Sequence, residues 1–195
     1  MVMQRTANLA VHAAGPRTCP RGGKCALTVL LALAALARGE EPSREYQLKA
    51  AFIYNFAQFT VWPDKAFSSD DAPFVVAVIG QDPFGDAVRG VMEGKKIGNH
   101  SIILRHFNSA DEVRGCHLLF VPAAEQDKYD AIFKAVGDRP VLTVGETPGF
   151  PAAGGTIRFL IEDNKIRFEV NLDSAYKAGL KISSKLLSLA KIYKP

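Results

Sequence analysis

The run PFVVAVIG, residues 73–80, decides the fold that the sequence predicts. It is continuously apolar and rich in valine, which is typical of a strand covered on both faces, as strands in parallel sheets are. The helix-length segment DPFGDAVRGVMEG follows it at once and stops at Gly94. A buried strand followed by a helix is the repeating unit of α/β folds. The sequence therefore predicts a parallel sheet with helices on its faces.

The same alternation of strand and helix continues downstream and then changes. The further predicted strands are HSIILRHF, CHLLFVP and PVLTVGE, and the predicted helices between them are SADEVRG and EQDKYDAIFKAVG. The segment GTIRFLIEDNKIRFEVN instead holds two runs of alternating apolar and polar residues around a polar turn. That pattern predicts an antiparallel β-hairpin.

Two helices are predicted at the ends of this domain. The first runs from about Glu45 to Thr60, is rich in aromatic residues that we expect mostly in the core, and stops before Pro63, because proline disfavours helical geometry in the residue before it. The second runs from about Leu172 to Ile192 with an amphipathic apolar stripe. The predicted fold class is α/β, a three-layer sandwich with a mostly parallel sheet, an antiparallel edge hairpin and flanking N- and C-terminal helices.

The first 37 residues differ in character from the rest of the chain. Four cations precede the apolar run ALTVLLALAALA, residues 26–37, which is too short to span a bilayer comfortably and ends in an A-x-A cleavage pattern. We predict a secretory signal peptide at residues 1–37, cleaved near Ala37, which leaves residues 38–195 as a single exported α/β domain. The alternative interpretation is an N-terminal membrane anchor or a buried helix.

Removing this leader changes the charge of the protein. The full chain has 24 Lys and Arg against 20 Asp and Glu, a formal net charge of +4. Four of those cations lie in the leader, which contains no acid, so the mature chain carries 20 charges of each sign. A neutral domain lacks the basic surface that nucleic acid or anionic lipid requires. We therefore expect no nucleic-acid partner, and no direct membrane insertion after cleavage.

The sequence offers no recognisable catalytic, cofactor or metal-binding motif. The loops after the predicted strands lack the glycine patterns of nucleotide sites, and no G-x-S-x-G nucleophile elbow is present. We expect His106 and His117 to neighbour each other on adjacent strands, but two histidines without a nearby acid or cysteine fall short of a metal site. We predict no catalytic residue, no cofactor and no metal, and a protein that is not an enzyme.

Cys116 is the one cysteine that remains after cleavage, since Cys19 and Cys25 leave with the leader. An exported chain with a single cysteine has no internal disulfide. Cys116 opens the apolar run CHLLFV, so a buried and inert thiol is the favoured interpretation. The alternative is a redox-sensing thiol or an intermolecular bond.

Two segments resemble a binding surface. Alternation in IRFEVN places Arg167, Glu169 and Asn171 on the face opposite Ile166, Phe168 and Val170, where the polar residues serve either as solvated charges or as a surface for a partner or ligand. The loop 147–155 carries an apolar tip that a lone domain does not need. The candidate interface residues are Trp62, Pro63, Phe150, Arg167, Glu169 and Asn171.

Several motifs together resemble the YfiR family, small exported proteins of Gram-negative bacteria. They are YQLKAAFIYNFAQFTVWP, PFVVAVIGQDPFG, CHLLFV, PVLTVGE and IRFEVNLDSAYKAGLKISSKLLSLAKIY. The resemblance covers about Glu45 to Tyr193. Its most specific parts are the aromatic helix that ends in Trp62-Pro63 and the stretch from Phe168 to Leu189, and the order and spacing of the motifs carry more weight than any single one.

This resemblance implies a non-enzymatic periplasmic regulator that acts as a homodimer. It would bind and repress the periplasmic sensor domain of a membrane-bound diguanylate cyclase, which lowers cyclic-di-GMP and biofilm formation. The alternative is a periplasmic small-molecule binding module, or a regulator of another membrane signalling protein such as a histidine kinase. Redox control in the best-known member of the family depends on cysteine pairs that form internal disulfides. Here Cys116 stands alone after cleavage, so an internal disulfide switch is impossible.

Overall fold

The structure, a computed structural model, describes residues 44–195. The predicted signal peptide at residues 1–37 lies outside the described residues. The helices are α1 (Arg44–Gln58), α2 (Asp86–Met92), α3 (Tyr129–Val136), α4 (Leu172–Lys177) and α5 (Ser184–Leu187), with 3-10 turns at Asp64–Ala66, Ala110–Glu112 and Ala123–Lys128. The strands are β1 (Thr60–Val61), β2 (Phe74–Ile79), β3 (Lys96–Ile97), β4 (His100–Phe107), β5 (Leu118–Val121), β6 (Leu142–Gly145), β7 (Ile157–Glu162), β8 (Lys165–Val170), β9 (Lys181–Ile182) and β10 (Lys191–Ile192).

One eight-stranded sheet, in the order β10-β8-β7-β6-β5-β2-β4-β3, forms the middle layer. Strand β2 lies between β4 and β5 and pairs with both in parallel, and β6 and β7 continue the parallel arrangement. Strands β7 and β8 form the predicted antiparallel hairpin, whose turn residues Asp163 and Asn164 both have positive φ, as a two-residue hairpin turn requires. The predicted α/β fold with a mostly parallel sheet is confirmed.

Strand β2 shows why its sequence is an uninterrupted apolar run, since all six of its residues are buried. Alternate side chains enter two separate clusters on the two faces of the sheet. Phe74, Val76 and Val78 pack beneath α1 and α2, in what we call the α1 cluster. Val75, Ala77 and Ile79 pack beneath α3, in what we call the α3 cluster. Helices on both faces of the sheet make the three layers.

The aromatic residues of α1 lie mainly in the core, as predicted. Phe56 is fully buried, and its ring centroid lies 5.4 Å from that of Phe159 and 4.9 Å from that of Phe168. Phe52 packs beside them. These rings attach α1 to the inner face of the β7–β8 hairpin, so the first helix of the described chain and a distant hairpin share one cluster.

The prediction of one long C-terminal helix is wrong. The chain ends α4 after Lys177 and turns at Gly179, whose φ of +71° lies in the left-handed region that glycine tolerates and that commonly ends helices. It then forms β9, which pairs antiparallel with β1, and a short helix α5 whose first turn is capped by the Ser183 hydroxyl. Strand β10 pairs in parallel with β8 and lies outside it, so β10, not the hairpin, is the edge of the sheet.

Candidate functional site

The carboxyl ends of parallel strands are the usual location of sites in α/β folds. Here a buried ion pair occupies that position: Lys49 of α1 is 4% exposed, and its Nζ lies 2.5 Å from Oε1 of Glu146, the residue after β6. Lys49 also pairs with Glu45, one turn earlier in α1. The backbone N–H of Ala123, after β5, donates to Oε2 of Glu146 at 3.3 Å. The ion pair therefore joins α1 to the ends of two strands.

The protonation states of Lys49 and Tyr46 are fixed at neutral pH. Burial alone would lower the pKa of Lys49, but hydrogen bonds to Glu146 and Glu45 outweigh it, so its pKa is raised. Burial raises the pKa of Tyr46, whose hydroxyl donates to Glu146 at 3.4 Å. The lysine stays charged and the tyrosine neutral, an arrangement suited to holding elements together and not to transferring protons. Sequence reasoning missed this pair, although Lys49 is the only charged residue in the segment KAAFIYNFAQFTVWP.

The expectation of an exposed apolar tip at Phe150 is wrong. Phe150 is fully buried in the α3 cluster, with its ring 5.3 Å from that of Tyr129 and 5.4 Å from that of Phe133. Gly145 and Gly155 make this position available, because a Cβ at either glycine would lie within 2.5 Å of the ring. The loop folds inward over its own phenylalanine, which fills the space that a ligand cleft would need.

Arg167 and Glu169 lie on the outer face of β8, as alternation predicted. Arg167 is exposed, whereas Glu169 is half-buried, with its Oε1 2.8 Å from Nε of Arg158 on β7. Within the described residues, neither β7 nor β8 contributes a side chain to the α3 cluster. This face of the hairpin carries charges in place of an apolar layer, and an interface role for it stays a prediction.

Asn171 differs from Arg167 and Glu169 because its side chain is buried and both its oxygen and its nitrogen form hydrogen bonds within the protein. Its side-chain oxygen accepts from the N–H of Ser174 at 3.1 Å, which caps α4. Its Nδ2 donates to the carbonyl of Pro151 at 2.9 Å. The residue links α4 to the loop that covers Phe150, so the geometry gives it a structural task.

Trp62 and Pro63 are both half-buried and follow β1. The Trp62 ring lies edge-on to Phe74 at 4.9 Å, in the α1 cluster. Its indole Nε1 is buried and has no hydrogen-bond partner among the described residues. Trp62 and Phe150 belong to clusters on opposite faces of the sheet, so the predicted interface residues do not form a single patch.

The amino end of the sheet contains a histidine site that sequence reasoning missed. His117, just before β5, is buried, and its Nδ1 accepts from the N–H of Val75 at 3.0 Å. Because that nitrogen accepts, the proton lies on Nε2, which donates to the carbonyl of Ala66 at 3.0 Å. Burial lowers the pKa of His117, which favours this neutral form. The predicted neighbour His106 bonds instead to Gly80 at the opposite end of the sheet, so that pairing is wrong.

His117 belongs to a row of five rings that we call the ring stack: Trp62, Phe74, His117, Phe67 and His100. Successive centroids lie 4.9, 5.0, 4.5 and 3.8 Å apart. Phe67 lies between the two histidines and is parallel to His100 within 1°. The signal in the sequence was a histidine at the start of each strand that flanks β2, with an aromatic residue in the loop before β2.

Cys116, the candidate redox thiol, is buried at the edge of the α3 cluster. Burial raises the pKa of its thiol to about 11, so the unreactive protonated form predominates at neutral pH. A redox role stays a prediction, and it would require the thiol to become exposed. Within residues 44–195, no group of three or more His, Cys, Asp or Glu side chains is placed to hold a metal ion.

The family model described as YfiR/HmsC-like matches residues 46–191, which is most of the chain and nearly all of its described part. The chain belongs to the YfiR/HmsC-like family. Membership supports a periplasmic regulator of cyclic-di-GMP signalling that acts through a protein partner, and it fits a protein that catalyses no reaction itself. In the described part of this family member, no helix is long and apolar enough to cross a membrane.

Proposed function

We propose that the mature protein binds the periplasmic sensor domain of a membrane-bound diguanylate cyclase and represses it, which lowers cyclic-di-GMP and biofilm formation. The observation that carries this proposal is the YfiR/HmsC-like match over residues 46–191. The buried ion pair of Lys49 and Glu146 supports it, because this structural contact fills the carboxyl end of the sheet, where an α/β enzyme would hold its reactive groups.

The outer face of β8 is the proposed partner surface. Arg167 is exposed there and forms no ion pair within the described residues, so its charge is available to a partner. Charges at the rim of an interface mainly steer association and set specificity. Trp62 and Pro63 are a second proposed contact, since half-buried aromatic residues commonly anchor interfaces.

The first test is cellular cyclic-di-GMP in a strain deleted for this gene. We expect a rise on deletion that the exported wild-type protein reverses. Arg167→Glu should restore repression only partly, whereas Arg114→Glu, the same charge change at another exposed position, should restore it fully. No change on deletion, with export of the protein demonstrated, would contradict the cyclase assignment.

We also propose that the protein is a homodimer. Of the eight large apolar side chains exposed within the described residues, four lie on α4 or around β10: Leu172, Tyr176, Leu189 and Ile192. Such a concentration supports a protein contact at this edge. Sedimentation equilibrium should give a dimer that Tyr176→Glu converts to monomer and that Ile161→Glu, at another exposed apolar position, on the β7–β8 hairpin, leaves unchanged.

Small-molecule binding is a second candidate function. A groove of about 620 Å³ lies between α1 and the β7–β8 hairpin, a volume typical of ligand sites. Leu48 and Ile161 form apolar walls, and Arg44 and Lys165 supply cations. The site differs from the cleft expected at Arg167 and the loop 147–155. Thermal-shift screening of small anionic apolar compounds tests it, with loss of any shift in Leu48→Glu as the required outcome.

A further inference from the structure

The segment between β1 and β2 is held on the sheet by two histidines and one phenylalanine. His117 donates to the carbonyl of Ala66 at 3.0 Å, and Nδ1 of His100 lies 2.6 Å from the carbonyl of Ala72. Phe67 lies between the two imidazoles. The segment is therefore fixed at its middle, by Ala66 and Phe67, and near its end, by Ala72, and all three contacts depend on histidine.

His117 can make both of its hydrogen bonds only when it is neutral. Its Nδ1 accepts from Val75, a residue of the central strand, and a second proton on that nitrogen would replace an acceptor by a donor. The N–H of Val75 would then be buried without a partner, which is costly. The new positive charge would also be buried, in one row with His100. In the closed arrangement, residues 62–72 lie on the sheet with both hydrogen bonds of His117 formed. Protonation of His117 opposes it by leaving the Val75 N–H unpaired, by burying a charge and by placing that charge in one row with His100.

Among the described residues, no nearby carboxylate compensates for that charge. The segment carries Asp64, Lys65, Asp70 and Asp71, all exposed, and none of them forms an ion pair with either imidazole within the described residues. The side chain adjacent in sequence, just before β5, is the thiol of Cys116, which is neutral. The titratable group on the other side of Phe67 is His100, whose charge further lowers the pKa of His117. Burial is the larger cause of that lowering.

We propose that the ring stack is an acid-sensitive contact that holds residues 62–72 on the sheet, and that its opening weakens partner binding at Trp62 and Pro63. The second half of this inference rests on the proposed function. The rings supply the coupling, because His117 contacts Phe74 and Phe74 contacts Trp62. A proton at the buried histidine therefore acts on the candidate interface through two ring contacts.

The direction of the effect follows from linkage. The closed state binds the proton of His117 less tightly than an open state with an ordinary histidine pKa of about 6.5. Closure is therefore favoured above that pH. As the pH falls below it, the equilibrium shifts toward the open state by up to about tenfold per pH unit.

Trp62 is the only tryptophan of the chain, so its fluorescence reports on the ring stack alone. We expect its emission in the purified exported protein to shift to longer wavelength below about pH 6.5, while far-UV circular dichroism is unchanged. His117→Gln, which can donate to Ala66 and does not titrate, should abolish the transition. His106→Gln, at the opposite end of the sheet, should leave it intact. An absent transition in wild type, or one that persists in His117→Gln, would overturn the proposal.

If His117→Gln does not fold, the titration of the His117 ring in wild type decides instead. Nuclear magnetic resonance should show that His117 gains its proton over the same pH range in which the Trp62 emission shifts. A ring that remains neutral throughout that shift would overturn the proposal, because the opening would then have another cause.

Cyclic-di-GMP in cells grown at about pH 7.5 and about pH 5.5, on either side of the ordinary histidine pKa, tests the regulatory half. Wild type should repress at the higher pH and lose repression at the lower, whereas His117→Gln should repress at both. Equal repression by wild type at both values would overturn regulation by acid. If deletion of the gene alters cyclic-di-GMP at neither pH, the proposed function fails, and Trp62 emission still decides whether the stack opens.

Discussion

Different kinds of contact cover the two ends of the central sheet, and we call each set of contacts a closure. At the carboxyl end, the Lys49–Glu146 ion pair and the buried ring of Phe150 hold α1 and the loop after β6. At the amino end, the ring stack holds residues 62–72 through the hydrogen bonds and ring contacts of His117 and His100. The raised pKa of Lys49 keeps that residue charged at the carboxyl end, whereas the ring stack contains histidine, the side chain type whose ordinary pKa lies closest to physiological pH.

This difference reverses the usual expectation for an α/β fold, in which the carboxyl end holds the responsive site. Here the carboxyl end carries the stable closure. The two histidines of the ring stack, and the half-buried Trp62, lie at the amino end. For a member of a regulatory family, the end of the sheet to examine is therefore the one at which we propose that a small change of pH alters a contact.

Replacing one phenylalanine at each end of the sheet should give the largest difference in stability between the two ends. Phe150→Ala removes a fully buried ring and should lower the free energy of unfolding by about 3–5 kcal/mol. Phe67→Ala removes a half-buried ring and should cost about half as much. Urea denaturation of the two variants measures both values. Equal losses would mean that the two closures are equally important to the fold.

Breaking the ion pair should have the next largest effect. Glu146→Gln leaves Lys49 buried with Glu45 as its remaining partner, so we expect a loss of about 2–3 kcal/mol, somewhat less than for a buried charge left alone. Arg89→Gln breaks a pair in which both side chains, Arg89 and Asp86, are exposed and is the matched control, with an expected loss below about 1 kcal/mol. A Glu146→Gln variant as stable as this control would show that Glu45 alone satisfies the lysine.

Alkaline pH should weaken the contacts of Lys49 and Tyr46 at the carboxyl end of the sheet. The pKa values of Lys49 and Tyr46 are both raised, so the folded state holds their protons more tightly than the unfolded state does. Their contribution is complete below about pH 10 and is lost as the pH rises through the raised values, by up to about 1.4 kcal/mol per proton and pH unit. Urea denaturation between neutral and strongly alkaline pH should show this loss, reduced in Lys49→Met. An unchanged slope in that variant would assign the loss to other groups.

The sequence predicted those features that depend on local periodicity. The apolar run of β2 and the alternation around Asp163-Asn164 each indicate one structure, and both are confirmed. The prediction of one C-terminal helix was wrong because the apolar spacing of residues 172–192 fits a helix. In the structure, the turn at Gly179 and the pairing of β9 with β1 divide that segment. The prediction of an exposed Phe150 was wrong for a related reason. A loop that folds over its own ring looks exposed in the sequence, and only the structure shows that Gly145 and Gly155 lie against that ring.

The candidate site was harder to predict because its contacts are distant in sequence. Lys49 and Glu146 are separated by 97 residues, and the Ala66 carbonyl lies 51 residues before its donor His117. Neither contact leaves a motif of fixed spacing. Burial of a single lysine in an aromatic segment, and histidines at the starts of two strands, were the available signals. Each becomes informative only when the sheet order places the distant partner beside it.

The smallest expected effect is at the outer face of β8, which belongs to neither closure. Glu169→Gln removes the partner of Arg158 at a pair whose side chains are 14% and 17% exposed, so we expect a loss of about 1 kcal/mol. Arg167→Gln, at an exposed position with no ion pair in the described part of the chain, should be neutral in urea denaturation. If either variant weakens repression of cyclic-di-GMP by more than its loss of stability accounts for, that residue contacts the partner. If both repress as wild type does, the partner surface lies elsewhere, and Trp62 at the amino end becomes the position to vary next.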